Sequence, residues 1–83
     1  MGELSRLPNI GEVIEERLNA TGIYTPEELV HAGSKEAFLQ IKLIDDTACL
    51  HMLYALQGAV EGKRYTELAA ETKKELKQFF GRL

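Results

Sequence analysis

The side chains of this 83-residue chain that could do chemistry are few and widely spaced. Cys49, His51 and Met52 crowd one short stretch, and His31 stands well apart from them. A nucleophilic thiol needs a base within hydrogen-bond reach, and a metal needs several ligands converging on one point. Cys49 and His51 are two residues apart, a spacing that sends them to different faces of a helix. There is no second cysteine and no His-x-x-x-His pair, and the carboxylates are scattered. Cys49 therefore reads as a small core residue and His51 as a surface or boundary residue. With no catalytic constellation, the chain is expected not to be an enzyme, and no metal or cofactor is implied.

Three stretches carry the makings of an anion site instead. In "LPNIG", residues 7–11, the free amides of a following helix and its dipole would attract a phosphate, and Gly11 has no Cβ to keep an oxygen away. Glu12, Glu15 and Glu16 follow, expected to point largely outward, and a glutamate at a helix start competes for the position an anion would take. Leu7, Pro8, Asn9, Ile10 and Gly11 thus read as a structural turn, with Ile10 a buried peg between helices and Gly22–Ile23 closing the element. In "GSK", Gly33, Ser34 and Lys35 place a hydroxyl and a lysine at a helix start; the plain reading is that Ser34 caps it. Lys73, Lys74, Lys77 and Arg82 fall within ten residues. Lys73 and Lys77 share a face, while Glu67, Glu71 and Glu75 form a row of their own and Glu71 can pair with Lys74. The candidate nucleic-acid residues are Gly11, Ser34, Lys35, Lys73, Lys74, Lys77 and Arg82, with the last four the first place to look.

Charge decides between these stretches. The net charge is −3. Residues 1–62 hold Arg6, Arg17, Lys35 and Lys42 against ten acidic side chains, a balance of −6; residues 63–83 hold six basic against three acidic, a balance of +3. A basic surface binds nucleic acid by neutralising phosphates and so releasing their counterions into solution; local charge therefore does not favour the hairpin for nucleic acid and leaves the C-terminal helix as the basic region.

The elements that must position these residues are all helical. Leu4 and Leu7 fit a short turn; Ile10, Ile14 and Leu18 repeat every four residues until Gly22 stops the helix. "YTPEEL" starts another, with Thr25 as cap, Pro26 at the first position and Glu27 and Glu28 at the positive end of the dipole. Gly33 ends it, and the next helix carries Ala37, Phe38, Ile41 and Leu43. Asp45 or Asp46 is expected to cap the apolar "TACLHMLYALQGAVEG", and Thr66 a final helix through Leu68, Leu76 and Phe79. The pattern predicts a compact all-α domain of five to six helices over residues 1–83, with the hairpin element at 3–23. A helix–turn–helix look shared by "ELSRLPNIGEVIEERL" and "ELVHAGSKEAFLQI" hints at a faint repeat.

The apolar helix must be covered on most sides. The small residues Ala55, Gly58 and Ala59 permit close approach of another helix, either within the chain or from a second copy. An apolar fraction of 45% and a charged fraction of 28% suit one soluble domain. A lone cysteine fits a reducing compartment, and "MGELSR" has no apolar run of a secretory leader. No segment reaches the length of a membrane span. A cytoplasmic location, without membrane contact, is the expectation.

"LPNIGEVIEERLNATGIYTPEEL" resembles a helix-hairpin-helix element, whose usual pattern is Leu-Pro-Gly-Ile-Gly, a helix, then Gly-Ile. With Leu29, Gly33, "LYAL" at residues 53–56, Gly58-Ala59 and Gly62, the chain is similar to the C-terminal domain of the TfoX (Sxy) family of bacterial competence regulators. Asn9 replaces the first hairpin glycine, and Tyr65 stands where the family often has tryptophan. The resemblance implies an all-helical bacterial regulatory or binding module, linked in full-length members to transcription of DNA-uptake genes. Two functions remain open: a regulatory module with weak nucleic-acid contact, or a protein-interaction or self-association module whose partner is a protein or a second copy.

Overall fold

The computed structural model describes residues 2–83. A 3-10 turn at Leu4–Arg6 leads through the hairpin loop to α1 (Glu12–Ala20), followed by α2 (Pro26–Ala32), α3 (Ser34–Ile44) and α4 (Leu50–Glu61). A second 3-10 turn at Tyr65–Glu67 precedes α5 (Ala70–Gly81), and there is no strand among the described residues. The all-α expectation therefore holds.

Local chemistry sets the clearest boundaries. At the end of α1 the Gly22 amide donates to the Asn19 carbonyl and the Ile23 amide to that of Leu18, at 3.0 and 2.9 Å. Gly22 takes φ +95°, the left-handed conformation this closure requires, and Ile23 is buried behind it. α2 opens with a reciprocal cap: the Glu28 amide donates to Thr25 Oγ1, and the Thr25 amide donates to Glu28 Oε1, both at 3.1 Å. Gly33, at φ +85°, ends α2 and begins α3 in one residue. The faint repeat is thus unequal, since its first unit opens with only a three-residue 3-10 turn.

Three expected caps are placed differently. Ser34 is the first residue of α3 and Gly33 holds the cap position; the Ser34 hydroxyl donates to Gln57 Oε1 on α4 instead. α4 begins at Leu50 with Cys49 as its N-cap, so neither Asp45 nor Asp46 caps it. Asp45 is occupied elsewhere, accepting from the amide and hydroxyl of Thr47 and from Arg17 Nε. Thr66 lies inside the second 3-10 turn, and α5 starts from Ala69 without a side-chain cap. Cys49 is exposed, not a core residue, because the cap position lies at the mouth of α4, outside the packed interior.

Phe38 and Ile41 of α3, Leu53 and Leu56 of α4, and Leu4, Leu18, Leu29 and Leu76 meet in one interior cluster. Each helix contributes an apolar stripe, and α4 receives neighbours on most of its circumference, as its composition demands. Ile10 is buried, as expected of the hairpin peg. Phe38 meets Phe80 with ring centroids 5.9 Å apart, which draws α5 over α3.

Asp45 is expected to make the fold sensitive to acid. The Thr47 hydroxyl and then the Arg17 guanidinium, 3.0 Å away, hold its carboxyl down at about 2, below the ordinary 3.8. A depressed carboxylate contributes stability above its unfolded value, and that contribution fades as pH falls from about 3.8 towards 2. Urea midpoints measured across that window are expected to fall more steeply for the wild type than for Asp45→Asn. Parallel profiles would show that the α1–α3 tie contributes nothing.

Candidate nucleic-acid interface

The hairpin loop is fastened to the far end of the chain by one side chain. Asn9 Nδ2 donates to the Lys63 carbonyl at 3.0 Å and to the Ala55 carbonyl at 3.3 Å, while Asn9 Oδ1 accepts the Tyr65 amide at 3.1 Å. Asn9 is the only described non-glycine residue with positive φ, at +71°. That conformation accounts for the glycine usual at this place, and asparagine is the other residue that tolerates it. It supplies in addition an amide whose two donors and acceptor are all used.

Gly58 makes room for this clasp. A Cβ there would lie 2.5 Å from Asn9 Nδ2, 2.7 Å from the Lys63 carbonyl oxygen and 3.2 Å from the Tyr65 nitrogen. Gly62 closes α4 at φ +75°, with the Lys63 amide donating back to the Gly58 carbonyl at 2.9 Å. Ala55, Gly58 and Ala59 are buried within the chain, so they offer no surface to a second copy. The close approach they permit is made by the chain's own hairpin loop and its 63–65 turn.

Glu15 departs from its expected outward position. Only 4% of it is exposed, and its carboxylate accepts the Gly2 amide through Oε1 and the Ser5 amide through Oε2, each at 3.2 Å. Glu12 and Glu16 are exposed. Gly11 caps α1 without a side-chain bond, and a Cβ on it would meet nothing within 4 Å. Structural duties thus dominate the hairpin: Ile10 fills the core, Asn9 clasps, and Glu15 ties down the first 3-10 turn.

The "GSK" stretch opens on a cleft of about 400 Å³ lined by Gly33, Ser34, Lys35, Gln57, Thr72 and Glu75, among others. Its polar groups are engaged with one another. Ser34 is 4% exposed and bonded to Gln57, and Gln57 donates onward to Glu61 at 2.6 Å. Lys35 pairs with Glu75 at 3.1 Å and stands over the Phe79 ring, 5.5 Å from its centroid. Ser34 and Lys35 therefore hold α3 to α4 and α5.

The α5 basic residues divide into two sets. With Leu76 inward and 100° per residue, Lys73, Lys74 and Lys77 lie on one flank, while Glu71, Glu75, Gln78 and Arg82 lie on the other. The structure separates Arg82 from the three lysines. The expected pairing of Glu71 with Lys74 is not formed, and among the described residues Lys73, Lys74 and Lys77 have no carboxylate partner within 4 Å. Lys73 is half-buried, and its carbonyl accepts the Tyr54 hydroxyl at 3.4 Å. One helical turn earlier on α4, the exposed His51 ring meets Tyr65 edge-on, with centroids 4.6 Å apart. Tyr65 follows Lys63 and Arg64 directly, and Asn9 grips both Lys63 and Tyr65.

Two sets of contacts thus lie one turn of α4 apart: Tyr54 with the Lys73 carbonyl, and His51 with Tyr65, which the Asn9 clasp ties to Lys63 and the hairpin. The model of the TfoX C-terminal domain matches residues 1–80. The chain belongs to the TfoX C-terminal domain family. The TfoX C-terminal fold is shared with an uncharacterized protein from Listeria monocytogenes in a triclinic crystal form, 51% identical with a TM-score of 0.96, the match covering 98% of this chain and 92% of the other. A protein of unknown function from Listeria monocytogenes in a tetragonal form is also 51% identical, with a TM-score of 0.95 and coverage of 96% and 98%. No curated protein matches.

Sequence reasoning found the lysines of this TfoX C-terminal domain but missed Tyr54, His51 and Tyr65 as their neighbours. The only sequence signal for them was polarity within an apolar helix, at His51 and Tyr54. Among the described residues, no helix is long and apolar enough to cross a membrane, and no group of three metal-ligating side chains converges.

Proposed function

We propose that this domain is a non-catalytic bacterial regulatory module that contacts nucleic acid weakly through the lysine flank of α5 and the adjoining 63–65 turn. One observation carries the reading: Lys73 and Lys77 share a flank of α5 away from Glu71 and Glu75, with Lys74 beside them, and among the described residues none of the three has a carboxylate partner within 4 Å. Lys63 and Arg64 precede Tyr65, whose ring meets His51 one turn of α4 from Tyr54, although Glu61 lies 3.5 Å from Lys63 and offsets its charge. The non-catalytic part of the reading is supported by the buried and half-buried carboxylates. Glu15 and Asp45 are both occupied in bonds that hold the backbone and neighbouring helices.

Fluorescence anisotropy with labelled oligonucleotides across a salt series tests this. Binding is expected at low salt and should fall steeply on the way to physiological ionic strength. Lys73→Glu/Lys77→Glu is expected to flatten the plot of log affinity against log salt by roughly 1.4, about 0.7 per single-strand phosphate contact removed. Gly11→Glu should change binding little, because the hairpin amides are not the contact. A slope untouched by the lysine pair, or a collapse on Gly11→Glu, would move the site to the hairpin.

The protein-interaction reading has its own supporting observation. Leu43 is 81% exposed and Ile44, beside it, 55% exposed at the end of α3. Light scattering across a concentration series tests self-association. A mass that rises with concentration and reverts in Leu43→Ser supports it; a strict monomer removes that form of the reading.

A further inference from the structure

We infer that the basic side of the domain takes single-stranded nucleic acid, with bases stacking on its aromatic side chains and phosphates running between its cations. The inference rests on the nucleic-acid reading above and names the class of ligand. Its ground is the interleaving that folding creates. The Tyr54 hydroxyl reaches the Lys73 backbone carbonyl, His51 is one turn away on the same helix as Tyr54, and the His51 ring stands against Tyr65, which adjoins Arg64. His51 and Arg64 are exposed, and Tyr54, Tyr65 and Lys73 are half-buried, the two tyrosines against the core, so partly open rings and cationic residues lie close together here.

Such proximity matches what an unpaired strand offers. Its bases present π-faces to stack on, and its backbone carries a charge at each step between them. In a duplex those faces are consumed by base stacking, and the aromatic side chains would meet only sugar and phosphate. A purely electrostatic surface would need no rings among its lysines. The Tyr54 hydroxyl is bonded to the Lys73 carbonyl, and the Tyr65 backbone is fixed by the Asn9 clasp while its ring packs against His51 and the core, so the rings are pre-positioned. Ordering already achieved in the free protein is a cost that binding does not incur. Acidic residues flank this side: Glu61 beside Lys63, Glu67, which accepts the Arg64 amide at 3.0 Å, and Glu71, three residues before Lys74. They limit the cationic charge and leave stacking a larger share of the affinity.

The test uses the whole 83-residue chain with a labelled oligothymidylate of about 12 nucleotides, a hairpin duplex with the same number of phosphates, and inorganic polyphosphate of matched charge. Anisotropy is followed at low salt, and tyrosine emission is followed in a Tyr24→Phe background, since Tyr24 is exposed in the α1–α2 connection. The single strand is expected to bind about ten-fold more tightly than the duplex, to quench the remaining tyrosines, and to resist displacement by polyphosphate. His51→Ala should weaken single-strand binding several-fold and leave polyphosphate affinity unchanged, with only a small fall in melting temperature from the lost contact with Tyr65. Duplex binding as tight as the single strand, displacement by polyphosphate at equal charge, or an inert His51→Ala would overturn base stacking while leaving the basic surface standing. No binding by any of the three probes overturns the underlying nucleic-acid reading itself.

Discussion

Gly58→Ala is expected to destabilise the domain by about 2–3 kcal/mol, the opposite of what helix propensity alone dictates. Gly58 lies inside α4, where replacing glycine by alanine ordinarily gains about 1 kcal/mol. Here the added methyl would sit 2.5 Å from Asn9 Nδ2 and 2.7 Å from the Lys63 carbonyl oxygen. A side-chain amide can rotate away, but Lys63 is held by its own amide bond to the Gly58 carbonyl, so the backbone of the turn has little freedom. Relief therefore requires the Asn9 clasp to open, which leaves the Tyr65 amide and the Lys63 carbonyl without their partner.

Asn9 supplies the companion measurement. Asn9→Gly keeps the positive φ and loses three hydrogen bonds, for an expected cost of about 1–3 kcal/mol. Asn9→Ala adds the strain of a left-handed alanine, roughly 1 kcal/mol more. Because both sites act on one contact, Asn9→Gly should cost less in a Gly58→Ala background than in the wild type. Urea denaturation of the four proteins reads out the cycle. A Gly58→Ala protein as stable as the wild type, or strictly additive losses, would sink this account of the hairpin.

These residues show where the sequence was legible. The Thr25 cap and the Gly22–Ile23 closure could be read because every group involved lies within five residues, although the return bond from the Thr25 amide to Glu28 was not read. Asn9 and Tyr65 are 56 positions apart, and no local pattern pairs them. Gly58 advertised a close approach correctly, but glycine does not say who approaches; the partner proved to be the chain's own loop. Asp45 and Thr66 misled for another reason. A capping side chain chooses among nearby amides, and Asp45 found Thr47 and Arg17 before it could reach α4. The α5 lysines were legible as charge, whereas their aromatic neighbours depend on how α5 docks against α4 through Tyr54 and Leu76, which periodicity cannot supply.

Docking also shapes the proposed interface. The hairpin reads in sequence as a structural turn with outward glutamates beside its amides; Glu15 instead faces inward, and the loop's polar atoms serve the 63–65 turn. The loop positions Lys63, Arg64 and Tyr65 rather than presenting itself. Weakening the clasp should therefore disturb the proposed interface as well as the fold.

Glu15 gives the second large effect, and it separates stability from binding. A carboxylate with 4% exposure persists only if hydrogen bonds replace its lost water, and the Gly2 and Ser5 amides do this. Gly2 is close enough that a Cβ there would lie 2.7 Å from Glu15 Oε2. Glu15→Ala strands both amides and frees the 3-10 turn that holds the fully buried Leu4, for an expected loss of about 2–3 kcal/mol. Glu15→Gln keeps one acceptor and should lose about half as much, since its NH₂ faces a second donor. Amide exchange at Leu7, whose amide donates to the Leu4 carbonyl at 3.0 Å, should accelerate in both variants before the core opens. Both substitutions also remove a negative charge next to the hairpin. With the contact on α5 and the 63–65 turn, nucleic-acid affinity should scarcely change in Glu15→Gln; a clear gain would return the anion site to the amides that follow Gly11.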